Sequence, residues 1–345
     1  MSTSCIVMAA GRGTRLRASI SKMLLPLDGL PLVAHPVSTA FCIKGCEVVV
    51  VVGHQKRAVR RALAAHFDGK PLQFAEQRQQ RGTGDAVAAA LPKVRGRRGS
   101  VFILSGDVPL LSPRTLGRLR QLRERHDAQV ALLTMRLVEP GHYGRVLRAG
   151  REVRSVVEYL DASPDERAVN EVNAGIYCVE LGFLRREIKR IGADNAKGEV
   201  YLTDLVAAAG KNSSAVAMLC DPQEVQGVNT WAELAIVAQV LRRRVTAKLM
   251  AGGVQLEDPE RVVIHSSVRI GADSHIAAGV ELTGRTRIGP GCCLEAGVIL
   301  RDCVLGDGVH VKPYCVLEGV RLEPGSVVGP FVHRASPGKI VENID

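Results

Sequence analysis

From residue 264 the chain reads Ile264-His-Ser-Ser-Val-Arg-Ile270-Gly-Ala-Asp-Ser-His-Ile276-Ala-Ala-Gly-Val-Glu-Leu282, and the rhythm runs on through Ile288, Leu294 and Leu300. A large aliphatic residue returns every six positions, seven times in register. After a step of five it resumes at Leu305, Val311 and Leu317, and after another five at Leu322 and Val328. A helix beats at about 3.6 residues and a half-buried strand at 2, so neither produces this series. A parallel β-helix does, because each turn of the coil stacks its apolar row on the next. So short a solenoid has no ends of its own and needs covering by the rest of the chain or by a partner.

Upstream, the texture changes. Thr230-Trp231-Ala232-Glu233-Leu234 opens one long helical pattern that closes at Gly252-Gly253. Before it, short β-branched runs alternate with helix-like segments around 34–43, 55–66, 83–91 and 113–126. The runs are Cys5–Ala9, the almost all-valine Glu47–Val52, and Val101–Leu104. An unbroken valine run fits a strand buried on both faces. The alternation predicts an α/β domain: a Rossmann-like, mostly parallel sheet with helices on both faces. Ligands of such sheets bind at the carboxyl ends of the strands, which points to loops 10–22 and 105–109. The expected division is 1–229 for this domain, 230–252 for a linker helix, 253–331 for the β-helix and 332–345 for a tail.

Composition supports this organisation. The 345 residues suit about two domains, and 46% hydrophobic content supplies a core, which excludes a wholly disordered chain. No apolar run reaches the ~20 residues of a membrane-spanning helix, and no signal peptide is visible, so no membrane association and a cytoplasmic location are expected. The nine cysteines are odd in number and sit at neither disulfide-framework nor zinc-ligand spacing, so reduced, buried thiols are expected. The net charge of +11 raises the question of nucleic acid. Its Arg clusters at 95–98 and 242–244 are scattered, however, and aromatics are only 3%, too few for a stacking platform. A solvated face that attracts anionic small molecules is the expected role, with no nucleic acid as partner.

The first strand runs into Ala9-Ala10-Gly11-Arg12-Gly13-Thr14-Arg15. Its glycines let the backbone turn tightly and present N–H groups to an anion, and Arg15 adds a fixed positive fork. No Gly-Lys-Ser/Thr follows, so this is not a Walker loop. Leu16 stands where the dinucleotide fingerprint needs its third glycine. Lys22 is a further phosphate-partner candidate, or else an ordinary surface lysine; Asp107 could equally be a turn-forming aspartate before Val108-Pro109.

Taken in order, further motifs join this loop: Gly82-Thr83-Gly84, Gly106-Asp107-Val108-Pro109-Leu110, Tyr143-Gly144-Arg145, Val157-Glu158, Asn173-Ala174-Gly175-Ile176, Gly198 to Asp204, and Gly227-Val228-Asn229. With them the chain resembles the sugar-1-phosphate nucleotidyltransferases, and within these the bifunctional GlmU family, as far as about Pro330. That family joins a UDP-N-acetylglucosamine pyrophosphorylase domain of GT-A-like fold to a left-handed β-helix acetyltransferase. At three hexads per coil, as in such helices, three to four coils are expected here.

The resemblance implies roles residue by residue. Met8, Ala9, Ala10 and Gly11 meet the nucleotide, and Arg15 and Lys22 the phosphates, as the catalytic cations. Gln77, Gly82 and Thr83 read uracil. Ser105, Gly106 and Asp107 lie beside ribose and metal, while Gly144, Glu158 and Asn173 form the N-acetylglucosamine pocket. Asp107 and Asn229 hold Mg²⁺, which suits an ion that takes one or two protein oxygens and leaves the rest to phosphate and water.

The implied reaction is UTP plus N-acetylglucosamine-1-phosphate to UDP-N-acetylglucosamine plus pyrophosphate, by in-line attack on the α-phosphorus, in the supply of cell-wall precursors. The alternatives are another nucleotide and sugar-phosphate pair, or a non-catalytic binding or assembly module.

Departures from the family carry their own expectations. Ser21 replaces a proline before Lys22, which predicts a less stiff loop. Arg78 and Arg81 flank the uracil-reading stretch and make base choice the less secure part. The coils that would bind coenzyme A are not among these residues, Ser336-Pro337-Gly338 stands where the family has Arg-Pro-Gly, and His333 is read as a surface residue. Acetyl transfer is therefore expected to be absent, with the β-helix kept as a structural part or as the contact of a homotrimer.

Overall fold

The structure, a computed structural model, describes residues 2–11, 13, 16, 18–150 and 152–335. It comprises two compact units: Met1–Pro26 with Leu30–Leu234, and Leu27–Gly29 with the residues from Ala235 onward.

Along the first 230 residues strands and helices alternate: β1 (Ser2–Ala9), the short β2 (Pro26–Leu27) and β3 (Leu30–Pro31), α1 (Ala34–Phe41), β4 (Cys46–Val52), α2 (Lys56–His66), β5 (Leu72–Glu76) and α3 (Thr83–Ala90). The order continues through β6 (Gly99–Ser105), α4 (Pro113–Arg125), β7 (Val130–Arg136), β8 (Arg145–Ala149), β9 (Glu152–Val157), α5 (Pro164–Arg167), β10 (Glu171–Glu180), α6 (Leu181–Glu187), α7 (Asp204–Gly210) and β11 (Ala215–Leu219). The main sheet runs β11-β7-β10-β6-β1-β4-β5, with the β8–β9 hairpin against β10.

β1 lies in the middle, parallel to β4 and β6. The valines of β4 explain the two-sided cover. Val48, Val50 and Val52 join the core beneath α1, α2 and α4, while Val49 and Val51 join the core beneath α3, α6 and α7. All five are fully buried, each worth roughly 1.5–3 kcal/mol.

In this mostly parallel sheet two strands run the other way, β9 in its hairpin and β10 in the main path. The crossover through α4 places β7 one position beyond β6's neighbour, and β10 fills the gap antiparallel to both. Its pattern is buried on both faces, like that of a parallel strand, so direction was not readable from it.

α8 (Trp231–Ala251) leads into fourteen short strands, in three parallel sheets of five, five and four, among the described residues. That is between four and five coils, more than the three to four expected. The pairs at Gln255–Leu256 and the strand His333–Ala335 extend the solenoid past both ends of the aliphatic series. The first five-residue step explains a change of pitch: Glu281 pairs with Ile299, eighteen residues on, whereas Ile299 pairs with Val316, seventeen on.

The aliphatic row is the core, with Ile276, Leu282, Leu294, Leu300 and Val311 essentially inaccessible. A second inward row stands two residues earlier in each hexad and uses smaller residues, including Ser274, Thr286, Cys292, Cys303 and Cys315. Most cysteines are thus buried and all are free, but Cys220 and Cys293 are half-buried and Cys42 is exposed, against expectation. His333 is exposed. Of the expected tail, residues 336–345, which include Ser336-Pro337-Gly338, lie outside the described residues. No helix among the described residues is long and apolar enough to cross a membrane.

Candidate functional site

The strand ends define the site. Met8 lies level with Val51 on β4 and Ser105 on β6, so the loops after β1, β4 and β6 leave the sheet side by side. Close packing ties them: the Gly106 N–H donates to Met8 O at 2.9 Å, and a Cβ on Gly53 would come within 2.9 Å of Ala10 O. Above them opens a cleft of about 320 Å³. Met8, Ala10, Gly11, Lys22, Gln77, Gly82, Thr83, Ser105 and Asp107 all line it, joined by Met23, Gln80, Ala86 and Glu199. Ala9 is buried, beneath this surface rather than on it. Arg15 lies outside the described residues.

Gly82-Thr83-Gly84 forms one wall because residues 199–202 are laced to it. The Gly84 N–H donates to Val200 O, the Val200 N–H to Arg81 O, and the Leu202 N–H to Thr83 Oγ1, at 2.7–3.0 Å. Gly82 has φ 111°, and a Cβ there would sit 2.5 Å from Val200 O, so glycine is required. Arg78 and Arg81 are exposed, and Arg81 donates to Gln79.

At the other wall Lys22 is only 7% exposed, so it is no surface lysine. Its ammonium donates to Asp107 Oδ2 at 2.5 Å and to Asn229 Oδ1 at 3.0 Å, while Ser105 Oγ donates to Asp107 Oδ1 at 2.7 Å. The loop before it is held without proline. Gln55, in a left-handed conformation, accepts from the Ser21 N–H at 2.8 Å and donates to Ser19 O at 3.0 Å. Ser21 is itself buried, and its hydroxyl accepts from the Met23 N–H. The predicted loss of stiffness is therefore made good by a side chain 34 positions away.

A second cluster gathers the three residues expected around the sugar. The Asn173 N–H donates to Gly144 O at 2.9 Å, and a Cβ on Gly144 would crowd Val156 at 2.9 Å and lie 3.5 Å from the Glu158 carboxylate. Thr203 Oγ1 donates to Glu158 Oε1 at 3.3 Å. Burial raises the Glu158 carboxyl above the usual range, with the Thr203 hydroxyl opposing. Asn173 Nδ2 donates to the Tyr177 hydroxyl at 2.6 Å, and burial pushes that phenol upward as well. Gly198 to Asp204 serves both clusters, through Leu202 and Thr203.

Three contributors were not singled out in the sequence, Gln55, Gln80 and Asp85, and two more, Thr203 and Arg145, stood in quoted motifs without an assigned role. Gln80 Nε2 donates to Ala10 O at 2.6 Å. Asp85 stands just past Gly82-Thr83-Gly84 and pairs with Gln77, while the Glu158 partner of Thr203 lies in another segment.

The donor set bears on Mg²⁺. Among the described residues no three His, Cys, Asp or Glu side chains gather as a metal cage. One carboxylate and one amide oxygen do converge on a single cation, the Lys22 ammonium, which stands in for a charge at that point. Two hard oxygens with room for phosphate and water fit Mg²⁺.

Residues 5–174 match the family of MobA-like NTP transferase domains. A UDP-glucose pyrophosphorylase solved with UDP-glucose superposes with TM-score 0.58 at 18% identity, covering 71% of this chain and all of its own, a likeness of fold. The bifunctional protein GlmU of Anaeromyxobacter sp. strain Fw109-5 is 48% identical over 337 residues, 97% of this chain and 68% of that protein. That of Pelobacter propionicus is 44% identical over 344 residues, 99% and 74%. Identity at this level, sustained along nearly the whole chain, makes it a nucleotidyltransferase that binds nucleotide and sugar phosphate, and the chain belongs to the GlmU family.

Proposed function

We propose that the protein transfers the uridylyl group of UTP to N-acetylglucosamine-1-phosphate, releasing pyrophosphate, in a Mg²⁺-dependent reaction that supplies cell-wall precursors. The observation that carries this reading is the cation position at the strand ends, where Asp107 and Asn229 converge on the Lys22 ammonium beside Gly11. Bound there, Mg²⁺ would neutralise phosphate oxygens as negative charge builds on the leaving pyrophosphate.

The chain's own residues do the positioning. Met8 to Gly11 present the turn to the nucleotide, Lys22 and Arg15 offset anionic charge, and Gln77 with Gly82 and Thr83 meet the base. Gly144, Glu158 and Asn173 seat the sugar so that its phosphate oxygen faces the α-phosphorus in line. No covalent protein intermediate is needed: orientation and charge neutralisation lower the barrier.

Pyrophosphate release from UTP, N-acetylglucosamine-1-phosphate and Mg²⁺, beside other triphosphates and sugar phosphates, tests the proposal. Turnover with this pair at least a hundredfold above the others supports it, and preference for another pair overturns the substrate assignment. For these residues the proposal assigns no acetyl transfer, read by coenzyme A release from acetyl-coenzyme A and glucosamine-1-phosphate. It assigns a homotrimer through the β-helix, read by sedimentation.

A further inference from the structure

Gln77 follows β5 and is 7% exposed, so the orientation of its amide matters to anything in the cleft. Its Nε2 lies 3.0 Å from Gly82 O and 2.9 Å from Asp85 Oδ2. Both neighbours only accept hydrogen bonds. The group between them must therefore be the NH₂, which spends both hydrogens there, and Oε1 is the end left over. No other hydrogen bond engages the Gln77 side chain among the described residues, and Oε1 is not a buried orphan. Of the Gln77 amide, the carbonyl acceptor is thus the end left for a ligand of the cleft that Gln77 lines.

We infer that Asp85 is a positioning residue for base selectivity, holding the Gln77 amide so that its acceptor faces the base. The inference rests on the uridylyl-transfer reading, in which Gln77 meets uracil. An acceptor pairs with an N–H at the base's central edge position. Uracil carries such a donor at N3, whereas cytosine carries a lone pair there, and two acceptors facing each other leave both unpaired in a desolvated site. Gly82 O cannot enforce the orientation as firmly, because it is a neutral carbonyl, whereas the carboxylate binds the NH₂ with a charge-assisted bond and repels Oε1. Asp85 touches no substrate in this account and works through Gln77 alone. Its place in the first turn of α3, stitched to residues 199–202, keeps the carboxylate where the amide needs it.

The test is kcat/KM for UTP and for CTP, with N-acetylglucosamine-1-phosphate saturating, in the full chain and in Asp85→Asn and Asp85→Ala. Asparagine keeps the size but can partner either amide orientation; alanine removes the partner. The wild-type preference for UTP should be a hundredfold or more, and both variants should lower the UTP-to-CTP ratio at least about tenfold, roughly 1.4 kcal/mol. A general loosening of the cleft would slow both nucleotides alike and leave the ratio unchanged. Variants within twofold of the wild-type ratio, against a clear wild-type preference, overturn the role of Asp85. A wild type without preference for UTP overturns instead the base reading on which it rests. Calorimetric titration of UTP and CTP into Asp85→Asn gives the same ratio without turnover, should one variant be slow.

Discussion

Lys22 and Asp107 form an ion pair whose side chains are only 8% and 15% exposed. Removing one member of such a pair strands the other, at a cost of about 3–5 kcal/mol. Lys22→Met should therefore lower the melting temperature, and millimolar Mg²⁺ should recover part of that loss, more than it raises the wild type. Equal Mg²⁺ shifts in both proteins would contradict the shared cation position. Turnover should fall by about two orders of magnitude or more in Lys22→Met and Asp107→Ala, with the folded state retained, because groups aimed at developing charge weigh that much.

Glu158 makes a prediction of a different kind. Burial raises its folded carboxyl above the unfolded value, so the unfolded chain releases the proton first as pH rises. Its contribution to stability therefore declines through the carboxylate range. Glu158→Gln should be more stable than wild type at pH 8, with the gain shrinking at pH 5, while the KM for N-acetylglucosamine-1-phosphate rises about tenfold. A wild-type KM would remove Glu158 from the sugar pocket.

Among the elements, the side chain of Arg145 joins the loop before β8 to the segment around α5, beside an edge-on contact of the His142 and Tyr159 rings. Arg145 is 2% exposed, and its guanidinium donates to Tyr143 O, to Gly141 O at 2.9 Å and to Arg167 O at 3.2 Å, over the ring of Tyr159 at 5.5 Å. A lysine ammonium keeps the charge, but its donors sit on one atom and cannot span the carbonyls that Nε, Nη1 and Nη2 serve separately. Arg145→Lys should raise the KM for the sugar phosphate about tenfold and leave that for UTP within twofold, measured with each substrate varied in turn. A parallel rise in both would mean a general loss of order. The motif Tyr143-Gly144-Arg145 was visible in the chain, but a positive residue there could as well have met phosphate. Its use as a clasp depends on where residues 159–167 return. Gly82 shows the same limit: the motif was legible, whereas the reason for glycine lies in Val200, far along the chain.

At the scale of the molecule, two sets of buried side chains are separate: those of the main sheet and those of the β-helix. Leu300→Ala in the solenoid should cost about 2–5 kcal/mol. Calorimetry should show a transition moved to lower temperature, with uridylyl transfer at 25 °C within twofold of wild type. A matching loss of activity would show that the two cores act as one.

What the chain declared by itself was periodic or contiguous. A six-residue beat specifies a β-helix because each coil repeats the same short-range geometry, and an unbroken valine run specifies a strand covered on both faces. The glycine-rich turn and the ordered motifs were local for the same reason. The direction of β10, the seat of Lys22, the Gln55 brace and the amide lock of Asp85 on Gln77 were decided only by the tertiary structure. Lys22 meets Asn229 across 207 positions, and Gln55 reaches Ser21 across 34. Contacts of that separation leave no rhythm in the sequence, since either partner alone is an ordinary polar residue until the packing of the sheet and its loops brings the other within hydrogen-bonding reach.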